Sequence, residues 1–213
     1  MLSTTERTRL RRAKHKARTD RAALYALLDE ALVCHMGVVV DGTPMVVPTG
    51  YGRVGDTLYL HGSTGARSLR APGEVCVTVT LLDGIVLARA AFHHSVNHRS
   101  AMVYGTPRVV TDEAERTEGL RALTEHLAPG RWEAARRPDA KEMAATRVLA
   151  LSLEEASVKV RTGPPADDDE DHALPIWAGV LPVRQVFGEP EPDPGLAFDL
   201  PVPDHVAHRP DPG

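Results

Sequence analysis

Ser63, Thr64, Gly65, Arg67 and Ser68 follow directly on the β-type run "TLYLHG", and a small polar loop of this make-up can hold phosphate. Hydroxyls and backbone N–H groups donate several hydrogen bonds to a dianion, while a guanidinium neutralises it. The loop matches neither the Walker A pattern nor the dinucleotide fingerprint, so on pattern alone an ordinary polar turn is the preferred reading. His61 ends the preceding run, where it could reach a cofactor ring or a substrate; a hydrogen-bonded structural histidine is the alternative. His93, His94 and His98 form a denser group whose spacing would allow metal or haem ligation on a helix. No acidic or cysteine partner sits at suitable spacing, so no metal site is assigned, and with Ser95, Asn97 and Arg99 these histidines suit the wall of a polar pocket. Neither a Gly-x-Ser-x-Gly elbow nor a convincing carboxylate pair occurs, so demanding chemistry would fall to a cofactor. Trp132 and Trp177 read equally as packing anchors and as cofactor covers.

The elements that must position these residues are mostly strands. Asp20 caps a helix that ends near Ala31, with Leu24, Leu27 and Leu28 on its apolar face. "LVCHMGVVV" and "PMVVPTGYGRV" are β-rich and joined by an Asp-Gly hairpin turn, and "RVGD" turns the chain into "TLYLHG". "STGARSLRAPG" predicts a short helix or turn, "EVCVTVTLL" and "SAMVYGTPRVV" predict strands, and Gly105 with Pro107 predicts a bulge or kink where the sheet curves. Asp112 caps a helix to about Leu127, a short helical piece covers Asp139–Ala145, and "TRVLALSLEEASVKVR" returns as a strand. Five or six strands by Val110 favour a barrel over an open sheet.

The chain has 213 residues, 42% hydrophobic and 25% charged, which is enough for one substantial core. A basic arm occupies residues 1–19, the main domain 20–162, and a proline-rich acidic extension 163–213, expected to drape over the barrel or stay partly disordered. No apolar run reaches the length of a membrane span and the N-terminus lacks a secretory core, so a soluble cytoplasmic protein is expected. Cys34 and Cys76 both lie in strand-like runs and read as reduced thiols. Arg7, Arg9, Arg11, Arg12, Lys14, Lys16 and Arg18 crowd the arm, and Asp167, Asp168, Asp169, Glu170 and Asp171 form an acidic run. With no aromatic interleaving or reading module, a solvated surface, with the two ends attracting each other, is preferred to nucleic-acid binding.

The order of "ALVCHMGVVVDGTPMVVPTGYG", "LYLHGSTGARSLR", "TVTLLDGIVLARAAFHHSVNHRSAMVYGTPRVV", "HLAPGRW" and "SVKVRTGPPADD" resembles the pyridoxamine 5′-phosphate oxidase-like, FMN-binding split-barrel family, in the branch that includes 5-nitroimidazole resistance proteins. The resemblance spans about residues 6–185, leaving the tail after Phe187 outside. It implies a mainly β fold with flanking helices, a six-stranded Greek-key split β-barrel that forms a homodimer with FMN between protomers. Ser63, Arg67 and Ser68 would meet the flavin phosphate, and Val46, Val47, Pro48 and Thr49 would run beside the ring. His61 would be the catalytic pocket histidine, with Gly62 beside it. "SVNHRSAMVYG" matches a family strand except that His98 replaces its tyrosine, which leaves Arg99 as that strand's cofactor-binding candidate. Ser68 stands where true vitamin B6 oxidases carry lysine, and their C-terminal substrate motif is missing. The resemblance therefore implies a flavin-dependent oxidoreductase passing electrons from NAD(P)H to a small electrophile such as a nitroaromatic or quinone. A non-catalytic flavin carrier, and a haem protein using a histidine of the 93–98 group, are the alternatives.

Overall fold

The computed structural model describes residues 1–2, 5–9, 16–70 and 73–211. After a two-residue strand, β1 (Ala17–Arg18), Asp20 accepts a hydrogen bond from the Ala22 amide at 3.0 Å and starts α1 (Arg21–Glu30). Leu24, Leu27 and Leu28 recur at helical spacing and are buried against the barrel. β2 (Val33–Val40) and β3 (Thr43–Val54) pair with Val40 opposite Thr43, leaving a two-residue turn. Both turn residues, Asp41 and Gly42, have positive φ, as a type I′ hairpin requires. β4 (Thr57–Ser63) follows a second turn at Gly55, and a single 3₁₀ turn at Arg67–Leu69 leads to β5 (Val75–Leu87).

Another 3₁₀ turn, Ala91–His93, precedes β6 (Ser95–Gly105) and the short β7 (Arg108–Val109). Asp112 caps α2 (Glu113–Leu127), and α3 (Arg131–Ala134) and α4 (Ala140–Ala145) come next. β8 (Thr146–Ser152) and β9 (Glu155–Arg161) complete the main sheet. β10 (Gly179–Pro182) and α5 (Asp204–Ala207) belong to the extension.

The strands run in the order β1-β9-β6-β5-β2-β3-β4-β8-β7, with β10 on β5. This is the expected mainly β split barrel, but with ten strands described instead of six. The segment read as one returning strand is two strands with different partners, β8 pairing with β4 and β9 with β6, and between them the Ser152 hydroxyl accepts the Glu154 amide at 3.1 Å. The bend expected at Gly105 coincides with the end of β6. The register shift lies instead in β5, between Leu82 and Gly84, leaving Asp83 unpaired.

One interior carries the core. Met36, Tyr51, Leu58, Leu60, Val77, Val79, Leu149 and Leu151 point into it and are almost wholly excluded from solvent. β3 joins its two halves: residues 43–50 pair with β2 and residues 51–54 with β4. Outside the barrel, Tyr59, Val110, Val148 and Ala150 pack with Leu120 of α2. Gly52 lets that helix lie on the strand itself, since a Cβ there would sit 2.5 Å from the Ala122 carbonyl carbon and the Leu123 nitrogen.

The two ends of the chain are built into the fold. Leu2 is buried in the barrel core, its amide bonds to the Thr19 carbonyl at 2.7 Å, and β1 adds to β9. Arg7 pairs with Glu74 and Glu155, not with the acidic run. Asp167 of that run is tied to the Arg89 backbone and guanidinium, both at 2.9 Å, and Asp168 lies 3.2 Å from His93. Arg11, Arg12 and Lys14 lie outside the described residues. Cys34 is buried and Cys76 half-buried, both free, and burial pushes the Cys34 thiol up to about 12. Among the described residues no helix is long and apolar enough to cross a membrane.

Candidate functional site: an open strand edge beside a cationic loop

The split in the barrel is the candidate site. β4 pairs with β3 only through Leu60, opposite Tyr51; from His61 to Ser63 it pairs with β8 alone. β3 pairs with β2 over residues 43–50, and its other edge there meets no strand among the described residues. A stretch of open strand edge therefore faces the end of β4 and the loop that follows.

Two prolines define what that edge offers. Pro44 and Pro48 have no N–H to give the β2 ladder, and they sit opposite Val39 and His35 at non-hydrogen-bonded positions. By strand alternation Val46 faces the same way. The edge therefore carries the Val46 N–H between carbonyls of alternate residues 44, 46 and 48, a pattern complementary to a planar ring that offers an acceptor beside a donor. Val46 is 66% exposed, whereas Val47 and Thr49 turn their side chains toward the barrel and Thr49 bonds the Gly50 carbonyl at 3.2 Å.

The loop is anchored from below. Leu69 is buried and packs over Gly62, where a Cβ would lie 2.5 Å from the leucine Cδ1. Arg147, opposite Gly62 on β8, donates to the carbonyls of Leu69 at 3.1 Å and Arg70 at 2.7 Å. The Ala66 amide bonds the Ser63 carbonyl at 2.9 Å, the Ser63 hydroxyl accepts the Gly65 amide at 3.1 Å, and Ser68 is buried. Arg67 is 62% exposed and ion-paired with Asp41 of the β2–β3 turn. An ion pair this exposed is weak and readily exchanged for a phosphate.

His61 stands where β4 leaves β3. Its Nδ1 is buried without a hydrogen-bond partner, and burial lowers its pKa below the ordinary histidine value. Such an orphaned ring nitrogen fits a site that a ligand or water completes. Arg99 is placed elsewhere: it bonds Glu30 at 2.6 Å and Asp83 at 2.8 Å at the opposite end of the barrel, so its guanidinium is already occupied.

The 93–98 histidines do not lie on one helix face. His93 faces Asp168, His94 Nδ1 lies 3.1 Å from the Ala90 carbonyl, and His98 lies on β6 opposite Leu82. A histidine whose Nδ1–H is fixed by a carbonyl presents Nε2 as a ligand atom. Around His94, Phe92 is 91% exposed, and Val96, Ile85 and Leu181 form an exposed apolar row across β6, β5 and β10. Trp177, also exposed, packs near Gly179, whereas Trp132 is buried with Arg137 over its ring at 4.8 Å.

The structure brings the sequence-predicted loop and the β3 stretch together at the split, and beside them it places Arg147 and Asp41, which sequence reading did not single out. Arg147 reaches the loop only through β4–β8 pairing, and Asp41 looked like turn chemistry alone.

A split antiparallel barrel with an open edge and a cationic loop defines a class of cofactor-binding folds. A model of the pyridoxamine 5′-phosphate oxidase family matches residues 20–160, and the chain belongs to that family. Among solved structures, the flavocytochrome Anf3 from Azotobacter vinelandii is 44% identical, with 96% of each chain covered and a TM-score of 0.91. A FAD and heme binding protein from Mycobacterium smegmatis is 41% identical over 92% of this chain and 98% of its own, with a TM-score of 0.87. A putative 5-nitroimidazole antibiotic resistance protein from Bacteroides thetaiotaomicron shares the fold at 24% identity, covering 68% of this chain and 86% of its own, with a TM-score of 0.57. No protein of curated description matches. The 96% coverage carries the likeness well beyond Phe187, where the family motifs stop.

Proposed function

We propose that this protein is a flavin-dependent oxidoreductase that also carries haem. The observation that supports it most is the open β3 edge: a lone Val46 N–H among carbonyls, facing a loop that offers Arg67, Ser63 and Ser68. That donor set suits the imide edge and phosphate of a flavin, and the part common to FMN and FAD fits both halves. The similarity to a flavocytochrome and to a FAD and heme binding protein supports two cofactors in one chain, where the sequence alone presented flavin and haem as alternatives. Bound there, a flavin supplies hydride chemistry and haem one-electron exchange, with NAD(P)H as reductant and a small nitroaromatic or quinone as acceptor.

The chain's own residues do the positioning. Val46 and Pro48 would hold the ring along the strand edge while Val47 and Thr49, turned toward the barrel, fix that edge against β2, Gly62 admits Leu69 so that the loop is seated, and Arg67 would exchange Asp41 for the phosphate. His61, neutral near pH 7 because it is buried, supplies an uncharged ring nitrogen beside the split. His94, with Nδ1 held by Ala90 and Phe92 alongside, is the favoured haem ligand. Val33, Leu82 and Met102, exposed on the outer sheet face, supply the contact for a homodimer.

The test is absorption spectroscopy after adding flavin and haem and desalting, followed by anaerobic NADH or NADPH. Retained flavin that bleaches, and a haem band lost in a His93/His94 double variant, are expected. Unchanged flavin retention in Arg67→Ala would overturn the loop assignment, and absence of a haem band would remove the second cofactor.

A further inference from the structure

A second cluster lies where the acidic extension meets the barrel, apart from the open edge. The 3₁₀ turn Ala91–His93 faces another, Asp169–Ala173, and between them His93, Asp168 and Asp171 each present one ligand atom. These three atoms all lie within 4.8 Å of one another, and His93 Nε2 is 3.2 Å from an Asp168 carboxylate oxygen. Local spacing around His93 offers no such partner, because the two acids come from about 75 residues further along the chain.

Contacts outside the cluster put these groups in place. The Asp171 amide bonds the Asp168 carbonyl at 3.0 Å, and residues three apart in a 3₁₀ turn stack on one side of it. Asp168 stands at the start of that turn, yet its side chain makes no capping bond and is left to face His93. Asp167, the residue before, pins the segment to Arg89. On the other side the His93 amide bonds the Ala90 carbonyl at 3.1 Å, and Phe92 meets the imidazole edge-on at 5.2 Å. The cluster is therefore organised without relying on its own hydrogen bond.

Its charge is not balanced. Arg89 is committed to Asp167, and among the described residues no lysine or arginine is paired with Asp168 or Asp171. Asp171 is half-buried, so its carboxylate is partly desolvated beside another of the same sign. A divalent cation relieves both. Ligand atoms about 2.0–2.1 Å from a tetrahedral zinc ion stand about 3.3 Å apart, which the His93–Asp168 pair already meets. One imidazole with two carboxylates and no thiolate suits a first-row divalent ion such as zinc, whereas magnesium and calcium prefer oxygen alone. Three protein ligands leave a fourth position for water.

We propose that His93, Asp168 and Asp171 bind a zinc-type divalent cation that staples the acidic extension to the barrel. His94 takes no part, since its Nδ1 lies at the Ala90 carbonyl.

Titration calorimetry of the chelator-washed full-length protein with Zn²⁺ tests it, with melting temperature as a second readout. Zn²⁺ is expected to bind and to raise the melting temperature, because the ion holds the folded extension, and equimolar Mg²⁺ should not displace it. Asp171→Asn is the decisive variant, since it leaves the His93–Asp168 contact intact. An outer-shell partner of a metal is worth about 10–100-fold in affinity, so loss of a ligand should weaken Zn²⁺ by about tenfold or more and abolish the thermal shift. His93→Ala and Asp168→Asn should do the same, and melting in chelator at the wild-type temperature shows that each variant folds. No binding in the wild type, or binding that Asp171→Asn leaves unchanged, would overturn the three-ligand site and reduce the cluster to a histidine–aspartate pair. Displacement by equimolar Mg²⁺ would overturn the imidazole's place in it.

Discussion

Arg67 is ion-paired with Asp41, so the acid competes with any phosphate for the same guanidinium. Asp41→Asn removes that competition while keeping a residue tolerant of the positive φ at this position. An exposed pair is worth about 0.2–1 kcal/mol, so the variant should bind FMN up to about fivefold more tightly, read by quenching of flavin fluorescence. A second residue-scale prediction concerns pH. Burial lowers the pKa of both His61 and His126, so each binds protons more readily when unfolded. Stability is therefore greatest above the ordinary histidine pKa of about 6.5 and falls as pH drops through it toward the folded values. Urea denaturation across that range should show the decline, and a His61→Gln/His126→Gln double variant should flatten it. The 63–68 loop was legible as a polar turn after a strand, not as a phosphate site, because its pattern matches no phosphate-binding fingerprint. His126 was not, since its role depends on the Ala31 carbonyl, 2.8 Å from its Nε2 and 95 residues away in sequence.

Local chemistry made several elements readable: Asp20 and Asp112 cap their helices, and the Asp-Gly pair makes the β2–β3 hairpin. Elements defined by long-range pairing were not readable. The division of β3 between two partners has no composition signal, and the separation of β8 from β9 follows from their pairing with different strands, β4 and β6. The contact between α2 and β3 gives an element-scale prediction. At Gly52 the clash is with helix backbone, which cannot rotate aside as a side chain would. Gly52→Ala should therefore destabilise by about 1–3 kcal/mol or more, measured as a lower urea midpoint with the slope unchanged. Tyr51 offers a companion test. Its buried hydroxyl lies 2.6 Å from the carbonyls of both Leu28 and Ala31, tying the end of α1 to β3, and Tyr51→Phe should cost about 1–3 kcal/mol in the same assay.

At the scale of the molecule, the acidic extension continues the sheet beyond the family core. β10 covers residues 84–87 of β5, and Asp167 satisfies Arg89. A chain ending at Gly163 should melt at lower temperature by differential scanning calorimetry, because it uncovers that edge and leaves a half-buried arginine unpaired. Assembly is the companion question. Leu82 and Met102 stand exposed on the outer face with Val33, and a double Leu82→Asp/Met102→Asp variant should sediment as a monomer where the wild type sediments as a dimer. A wild type that already sediments as a monomer would remove the homodimer.

The prolines on the open β3 edge also bear on how the protein stays dispersed. A long bare strand edge normally recruits a strand from another chain, and that is how fibrous deposits begin. Pro44 and Pro48 interrupt the donor row every fourth residue, so a visiting strand finds one N–H where it needs three. A small planar ligand loses nothing by this, whereas a polypeptide cannot zip along the edge. The prolines thus guard the bare edge against clumping, and replacing both with valine should turn the protein into an insoluble one.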